Sequence, residues 1–243
     1  MEERFEKRKN LIAFLSFFSW LFLGASILAV PMLMIAPVIL GIPAEEYLSN
    51  TQLITEHTYI PAVIANTAAV IVYVILFKKV IKNDGNNFKT SWWKFLILIV
   101  VGFVLLLLSN FIMTIIYEKL GLGNQTSQNQ QGIIDALNGS TKPFVIIYTV
   151  ILAPIFEEIV FRKLFYTTFR QYTKLPAWAI VLIISAIFAF IHVTDFESLV
   201  FFPQYFVLAL IITGAYAISK ENLLVSIGLH FLNNLLAILE ILI

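Results

Sequence analysis

The sequence predicts an all-α fold, a polytopic transmembrane helix bundle of about seven spanning helices, from three observations. The 243 residues are 60% hydrophobic and only 13% charged, with mean hydropathy +0.89, far more apolar than an ordinary soluble domain. The apolar residues fall in runs close to the roughly 20 that a spanning helix needs, separated by charged clusters. The basic residues collect on alternate loops, the pattern of a membrane protein whose Lys and Arg stay on the cytoplasmic side.

The first run extends from Leu11 to about Val38, and Pro31 and Pro37, which remove backbone hydrogen bonds, mark where it would tilt or break. Charged Met1 to Asn10 precedes it as in a secretory signal. The uncharged stretch from Leu11 to Ile42 greatly exceeds a signal's apolar core of roughly 7 to 15 residues, so it reads as a retained anchor. Tyr59 to Phe77 and Phe95 to Ile116 form the second and third spans. Between Glu118 and Lys142 lies a polar loop containing Gly-Asn-Gln-Thr-Ser-Gln-Asn-Gln-Gln-Gly, with a short helix expected around Ile133 to Leu137. Pro143 to about Phe165, Ala177 to His192, Leu199 to Ile218 and Leu223 to Ile243 complete the set, the fifth being short.

All 16 Lys and Arg except Lys119 and Lys142 fall on one set of loops, which places the N-terminus in the cytoplasm and the C-terminus outside, in what is expected to be the cell membrane. The net charge of +1 gives no footprint for nucleic acid, and the lipid bilayer is the expected environment. The absence of cysteine excludes disulfides, thiolate metal ligands and a cysteine nucleophile. The chain divides into residues 1–142, N-terminal membrane helices and a polar loop, and residues 143–243, where ionisable residues enter the apolar runs.

Two adjacent glutamates in Ala153-Pro-Ile-Phe-Glu-Glu-Ile-Val-Phe-Arg162 are the anomaly. A charge at mid-bilayer costs at least ~2.5 to 3.5 kcal/mol, so each needs a partner or a task. Successive helical residues point about 100° apart, and the two acids therefore meet different surroundings. Glu158 and Arg162 stand at i and i+4 with the acid first, the favourable order for an ion pair. Glu157 has Phe161 at that position and no local cation, which makes it the catalytic candidate. Alternatively the pair sits at the interface, with Arg162 and Lys163 reaching to headgroups.

Only three histidines are available as partners. His57 precedes the second span and reads as a solvated or interfacial residue. His192 ends the fifth span, one turn after Phe188. His230 lies within the last span and shares a face with Asn234. Taken singly, each has a plain structural explanation, a helix end or polar glue between helices. Taken together, they place an unpaired acid, two imidazoles and an amide in three apolar segments. Peptide hydrolysis needs a base for water, a group that holds the water, and donors for the developing oxyanion. Glu157 and His192 suit the first two roles, and His230 with Asn234 the third.

The ordered set Glu157-Glu158-x-x-x-Arg162, Phe188-x-x-x-His192 and His230-x-x-x-Asn234 resembles the CPBP intramembrane proteases, the CAAX-protease and bacteriocin-processing family also called Abi. The resemblance covers about Pro143 to Glu240. It implies an α-helical membrane endopeptidase in which Glu157 activates water with help from His192, His230 and Asn234 stabilise the oxyanion, and Glu158 and Arg162 support the site. The implied substrate is a membrane-associated peptide, protein or prepropeptide. Cofactors are expected to be none. Zinc is an alternative that two histidines and a glutamate would permit, although the His-Glu-x-x-His signature is absent.

One feature fits poorly. His192 lies roughly 22 Å from the inner end of its span and His230 only about 10 Å from the inner end of its own. Either the fifth helix is tilted or partly re-entrant, or the span ends are misplaced by a turn. The rival functions are a non-enzymatic scaffold or immunity factor, which complete motifs disfavour, and a proton-coupled transporter, for which no inverted repeat is visible.

Overall fold

The computed structural model describes residues 2–123, 125–193 and 195–243, with side chains described outside 2–5, 51, 52, 55 and 56. The Arg4 side chain of the basic N-terminus and Asn124 of the polar loop lie outside the described residues. Every predicted apolar run is helical, and the described residues contain no strand. The chain order is α1 (Glu2–Leu40), α2 (Ala44–Ser49), α3 (Thr51–Leu76), α4 (Lys78–Thr90), α5 (Trp92–Lys119), α6 (Gln128–Leu137), α7 (Lys142–Tyr172), α8 (Ala177–Ile191), a 3-10 turn (Glu197–Phe201), α9 (Phe202–Ile218) and α10 (Leu223–Leu242).

Among the described residues, α1, α3, α5, α7, α9 and α10 are long and apolar enough to cross a membrane. The fifth predicted span, α8, has 15 residues. That is about 22 Å, short of a hydrocarbon core of about 30 Å. α1 does not break at Pro31 or Pro37 and continues for 39 residues. At about 58 Å it is far longer than the core is thick, so it tilts or emerges beyond it.

α7 is the central helix. In its apolar window 56% of residues are buried inside the bundle, against 17–33% for the other long helices. Phe156, Phe161 and Phe165 on α7 pack against Phe17 of α1, Tyr73 of α3 and Phe188 of α8. A second cluster joins Leu106 of α5, Ile212 of α9 and Leu229 of α10. Gly102 permits the close approach of α5 to α10, since a Cβ there would meet Leu229 Cδ2 at 2.8 Å.

α7 is irregular in a way that its sequence explains. Two π-helical stretches, Tyr148–Leu152 and Ile159–Tyr166, flank the α-helical turn Ala153–Glu158. Pro154 has no N–H to return to the preceding turn, and π-type bonding is one means by which a membrane helix satisfies the carbonyls so released. Such bulges also tend to sit at functional sites.

The charged region 78–94, which the sequence presents as a loop between spans, holds an amphipathic helix instead. α4 turns Asp84 inward, where it is buried. Asp84 Oδ2 lies 3.3 Å from Lys163 Nζ on α7 and accepts from the backbone N–H of Leu223 at 3.3 Å, while Asn222 Nδ2 donates to the Asp84 carbonyl at 2.8 Å. Arg170 and Glu221 pair nearby at 2.7 Å. These contacts bring the basic loops around α4, α7 and α9–α10 to one end of the bundle.

The same contacts remove the mismatch in depth. Lys163 lies about nine residues, roughly 13 Å, before the end of α7 at Tyr172, so α10 begins recessed by a similar amount. His230, about 10 Å along α10, therefore reaches the level of His192, about 22 Å along α8. α4 fills the space beneath the recessed end.

Candidate active site

Glu157 and Glu158 leave α7 in different directions, as their helical spacing requires. Glu158 is fully buried, and its Oε1 lies 2.9 Å from Arg162 Nη1, one turn on, and 2.8 Å from His230 Nδ1 on α10. Arg162 is also fully buried, with its guanidinium 4.7 Å above the ring of Phe188 in a cation–π contact. The interfacial alternative for this pair is overturned: Arg162 does not reach toward headgroups, because α8 and α10 close over it.

Glu158 accepts the Nδ1–H of His230, which turns the other ring nitrogen, Nε2, toward Glu157. Nε2 lies 3.9 Å from Glu157 Oε2. That separation suits a bridging proton donor or a water more than a direct bond, and catalytic hydrogen bonds commonly tighten only when substrate arrives. Glu157 Oε2 is itself buried without a hydrogen-bond partner among the described residues, and the Glu157 side chain is 17% exposed. It opens onto a cavity of about 660 Å³ that His192, His230 and Asn234 also line.

His192 is the C-cap of α8. Its Nδ1–H donates to the Phe188 carbonyl at 2.8 Å, and in the neutral ring this leaves Nε2 as the acceptor. The imidazole stacks on Phe188 with centroids 4.3 Å apart and lies 5.0 Å from the ring of Tyr205. Phe188 thus carries Arg162 on its ring as well as His192, and His230 meets it edge-on at 5.9 Å.

Asn234 Nδ2 donates to the Thr149 carbonyl in the first π stretch at 2.9 Å, and its Oδ1 accepts from Asn233 Nδ2 at 3.1 Å. One amide hydrogen of Asn234 is therefore engaged with backbone and the other is not required by that contact. His230 donates through Nε2 only when both ring nitrogens are protonated. The two side chains share a cavity wall with Glu157, and the π geometry that supplies the Thr149 carbonyl holds the amide in place.

The remaining polar lining went unnoticed in the sequence. Asn233 showed itself only as a neighbour of Asn234. Tyr205 gives no sequence signal, because it approaches His192 through a turn, and its hydroxyl lies 2.6 Å from Ser127 Oγ of the polar loop. His57 is outside the cavity, with Nδ1 2.8 Å from both Tyr47 Oη and the Leu53 carbonyl. Among the described residues, no three His, Asp or Glu side chains converge as a metal-binding group.

Residues 139–236 match the family described as type II CAAX prenyl endopeptidase Rce1-like. The chain is 31% identical over 138 residues to "Membrane-embedded CAAX protease MroQ" of Staphylococcus aureus (strain USA300), covering 55% of this chain and 53% of that protein. It is 29% identical over 170 residues to "Putative membrane peptidase YdiL" of Bacillus subtilis (strain 168), covering 69% of this chain and 65% of that one. The chain thus spans less than two thirds of the length of either relative. No solved structure matches it. The segment matched by the family contains all of Glu157, Glu158, Arg162, His192, His230 and Asn234, while the alignments to the two relatives, at 138 and 170 residues, are longer than residues 143–243 and so extend into the N-terminal helices.

Proposed function

We propose that this integral membrane protein is an intramembrane endopeptidase that hydrolyses a peptide bond of a membrane-associated peptide or prepropeptide. The observation that carries the reading is Glu157: a largely buried carboxyl whose Oε2 has no hydrogen-bond partner among the described residues, opening onto a cavity that two histidines and an asparagine share. The names of the similar proteins, a CAAX protease and a membrane peptidase, support the same reaction class.

In the proposed reaction Glu157 accepts a proton from water as the water oxygen bonds to the scissile carbonyl carbon. His192, through Nε2, orients that water. The carbonyl oxygen takes up negative charge facing Asn234 Nδ2 and the protonated His230 Nε2. Collapse breaks the C–N bond, and Glu157 returns its proton to the leaving nitrogen, which departs as an amine. Glu158 and Arg162 hold His230 from behind. The reaction so written uses no metal ion. With the basic end of the bundle cytoplasmic, the cavity opens toward the opposite face, beside the polar loop that precedes α6.

The reading is tested in cells that express the chain or its variants at matched abundance together with candidate membrane-bound propeptides. Glu157→Gln is expected to abolish the product that the native chain forms. A product that persists in Glu157→Gln would overturn the assignment of the base, and a phenotype without any product would favour a peptide-binding scaffold.

A further inference from the structure

The cavity is one-sided in charge. Its wall holds two carboxylates, Glu157 at the inner end and Glu240 at the mouth, and no Lys or Arg among the described residues that line it. Its other polar side chains include the neutral amides Asn110, Gln204 and Asn233. The nearest buried cation, Arg162, is held against Glu158 and beneath Phe188. A peptide whose free carboxylate had to lie in this cavity would add negative charge to a wall with two carboxylates and no Lys or Arg to pair with it, an arrangement that like-charge repulsion in a low-dielectric cleft opposes.

The same wall has a length scale. His230 and Glu240 project from α10 ten residues apart, about 15 Å at the helical rise. An extended chain covers that distance in about four to five residues at ~3.3 Å each. Glu240 is exposed, and its carboxylate makes no hydrogen bond or ion pair among the described residues, so it stands at the rim as an available charge.

We propose that the site takes an internal peptide bond within a neutral to cationic extended segment, and that Glu240 recognises a Lys or Arg four or five residues from the bond that is cut. This rests on the peptidase reading and adds a substrate class to it.

The test uses the full chain in nanodiscs of zwitterionic phosphatidylcholine and internally quenched peptides with a central apolar scissile pair. The peptides carry Lys, Ala or Glu at the fourth and fifth positions from that pair, each with an amidated or a free C-terminus. The expected order of kcat/KM is Lys, then Ala, then Glu, separated by about 1.5-fold to fivefold in KM, as expected for one exposed charge pair. Glu240→Lys is expected to invert the order. Equal values for the three peptides, an order that Glu240→Lys leaves unchanged, or a preference for a free carboxylate within five residues of the cut would each overturn the inference while the peptidase reading stands. Binding of fluorescein-labelled Lys and Glu peptides to the Glu157→Gln protein separates the two levels. Tighter binding of the Lys peptide without any turnover by the native chain would count against the peptidase reading alone, and equal binding would overturn the recognition by Glu240.

Discussion

Glu158 Oε1 lies 2.8 Å from His230 Nδ1, and through this contact the ion pair of α7 fixes an imidazole on α10. The arrangement separates two adjacent acids by consequence. Glu158→Gln leaves Arg162 buried with no countercharge, and removing one partner of a buried pair costs roughly 3–5 kcal/mol. Thermal unfolding in detergent is expected to show a large loss of stability for Glu158→Gln and little change for Glu157→Gln, whereas both lose peptide cleavage. Equal melting temperatures for the two variants would contradict the buried pairing.

His192 is expected to act on the water rather than on the fold. Its ring is held by one backbone carbonyl and by stacking, so His192→Ala should lower kcat by about 10²–10⁴-fold, the range for a positioned acid–base group, with KM little changed. Steady-state kinetics on a single peptide is the check, and a change confined to KM would reassign His192 to substrate binding.

Phe188 supports His192, Arg162 and His230 with one ring. Phe188→Ala is expected to destabilise the bundle by about 3–5 kcal/mol, the cost of emptying a buried aromatic site, and to lower activity further than the stability loss alone explains. Phe188→Leu, which fills much of the volume without a π face, should recover stability more than activity. Parallel recovery of both would argue that the ring contributes bulk alone.

Asp84 sets the depth of α10. Asp84→Ala removes an acceptor for the Leu223 N–H and the partner of Lys163, and a loss of about 1–3 kcal/mol is expected for leaving such groups unsatisfied. Because the Asp84 side chain touches no residue of the cavity, any fall in kcat would have to come through displacement of His230. A disulfide cross-link between cysteines placed on α8 and α10 at the level of His192 and His230 would report that shift as a lower yield.

A strong zinc chelator is expected to leave cleavage intact, since the proposed step draws on Glu157, His192, His230, Asn234 and water and on no metal ion. Inhibition reversed by added zinc, in protein freed of chelator, would replace the water-only step with a metal-bound one.

The sequence made the spans legible because the bilayer imposes a run length that few other constraints can mimic, and the Glu158–Arg162 pair because it is local to one helix. The contact of Glu158 with His230 was not legible, since it crosses from α7 to α10, and helical spacing relates His230 to Asn234 alone. The recess of α10 was hidden for a different reason. The Lys-rich segment 78–94 reads as a solvated loop by composition, yet Phe77, Ile81, Asp84 and Phe88 recur at helical spacing on one face, the signal that would have found α4. The shortness of α8 was legible from the length of its apolar run, and the helix ends one residue before the predicted limit, with His192 as its cap.

The shortness of α8 reaches beyond the protein itself. Trp178, Leu182 and Phe190 expose apolar surface along it, yet the helix is roughly 8 Å shorter than the surrounding hydrocarbon. Lipid beside a short apolar helix thins to match it, at a cost of fractions of a kcal/mol per ångström. Headgroups and their hydration are thereby drawn down toward His192 on that flank, so acyl-chain length becomes a variable of the reaction, and the same protein would meet its water more readily in a thin membrane than in a thick one.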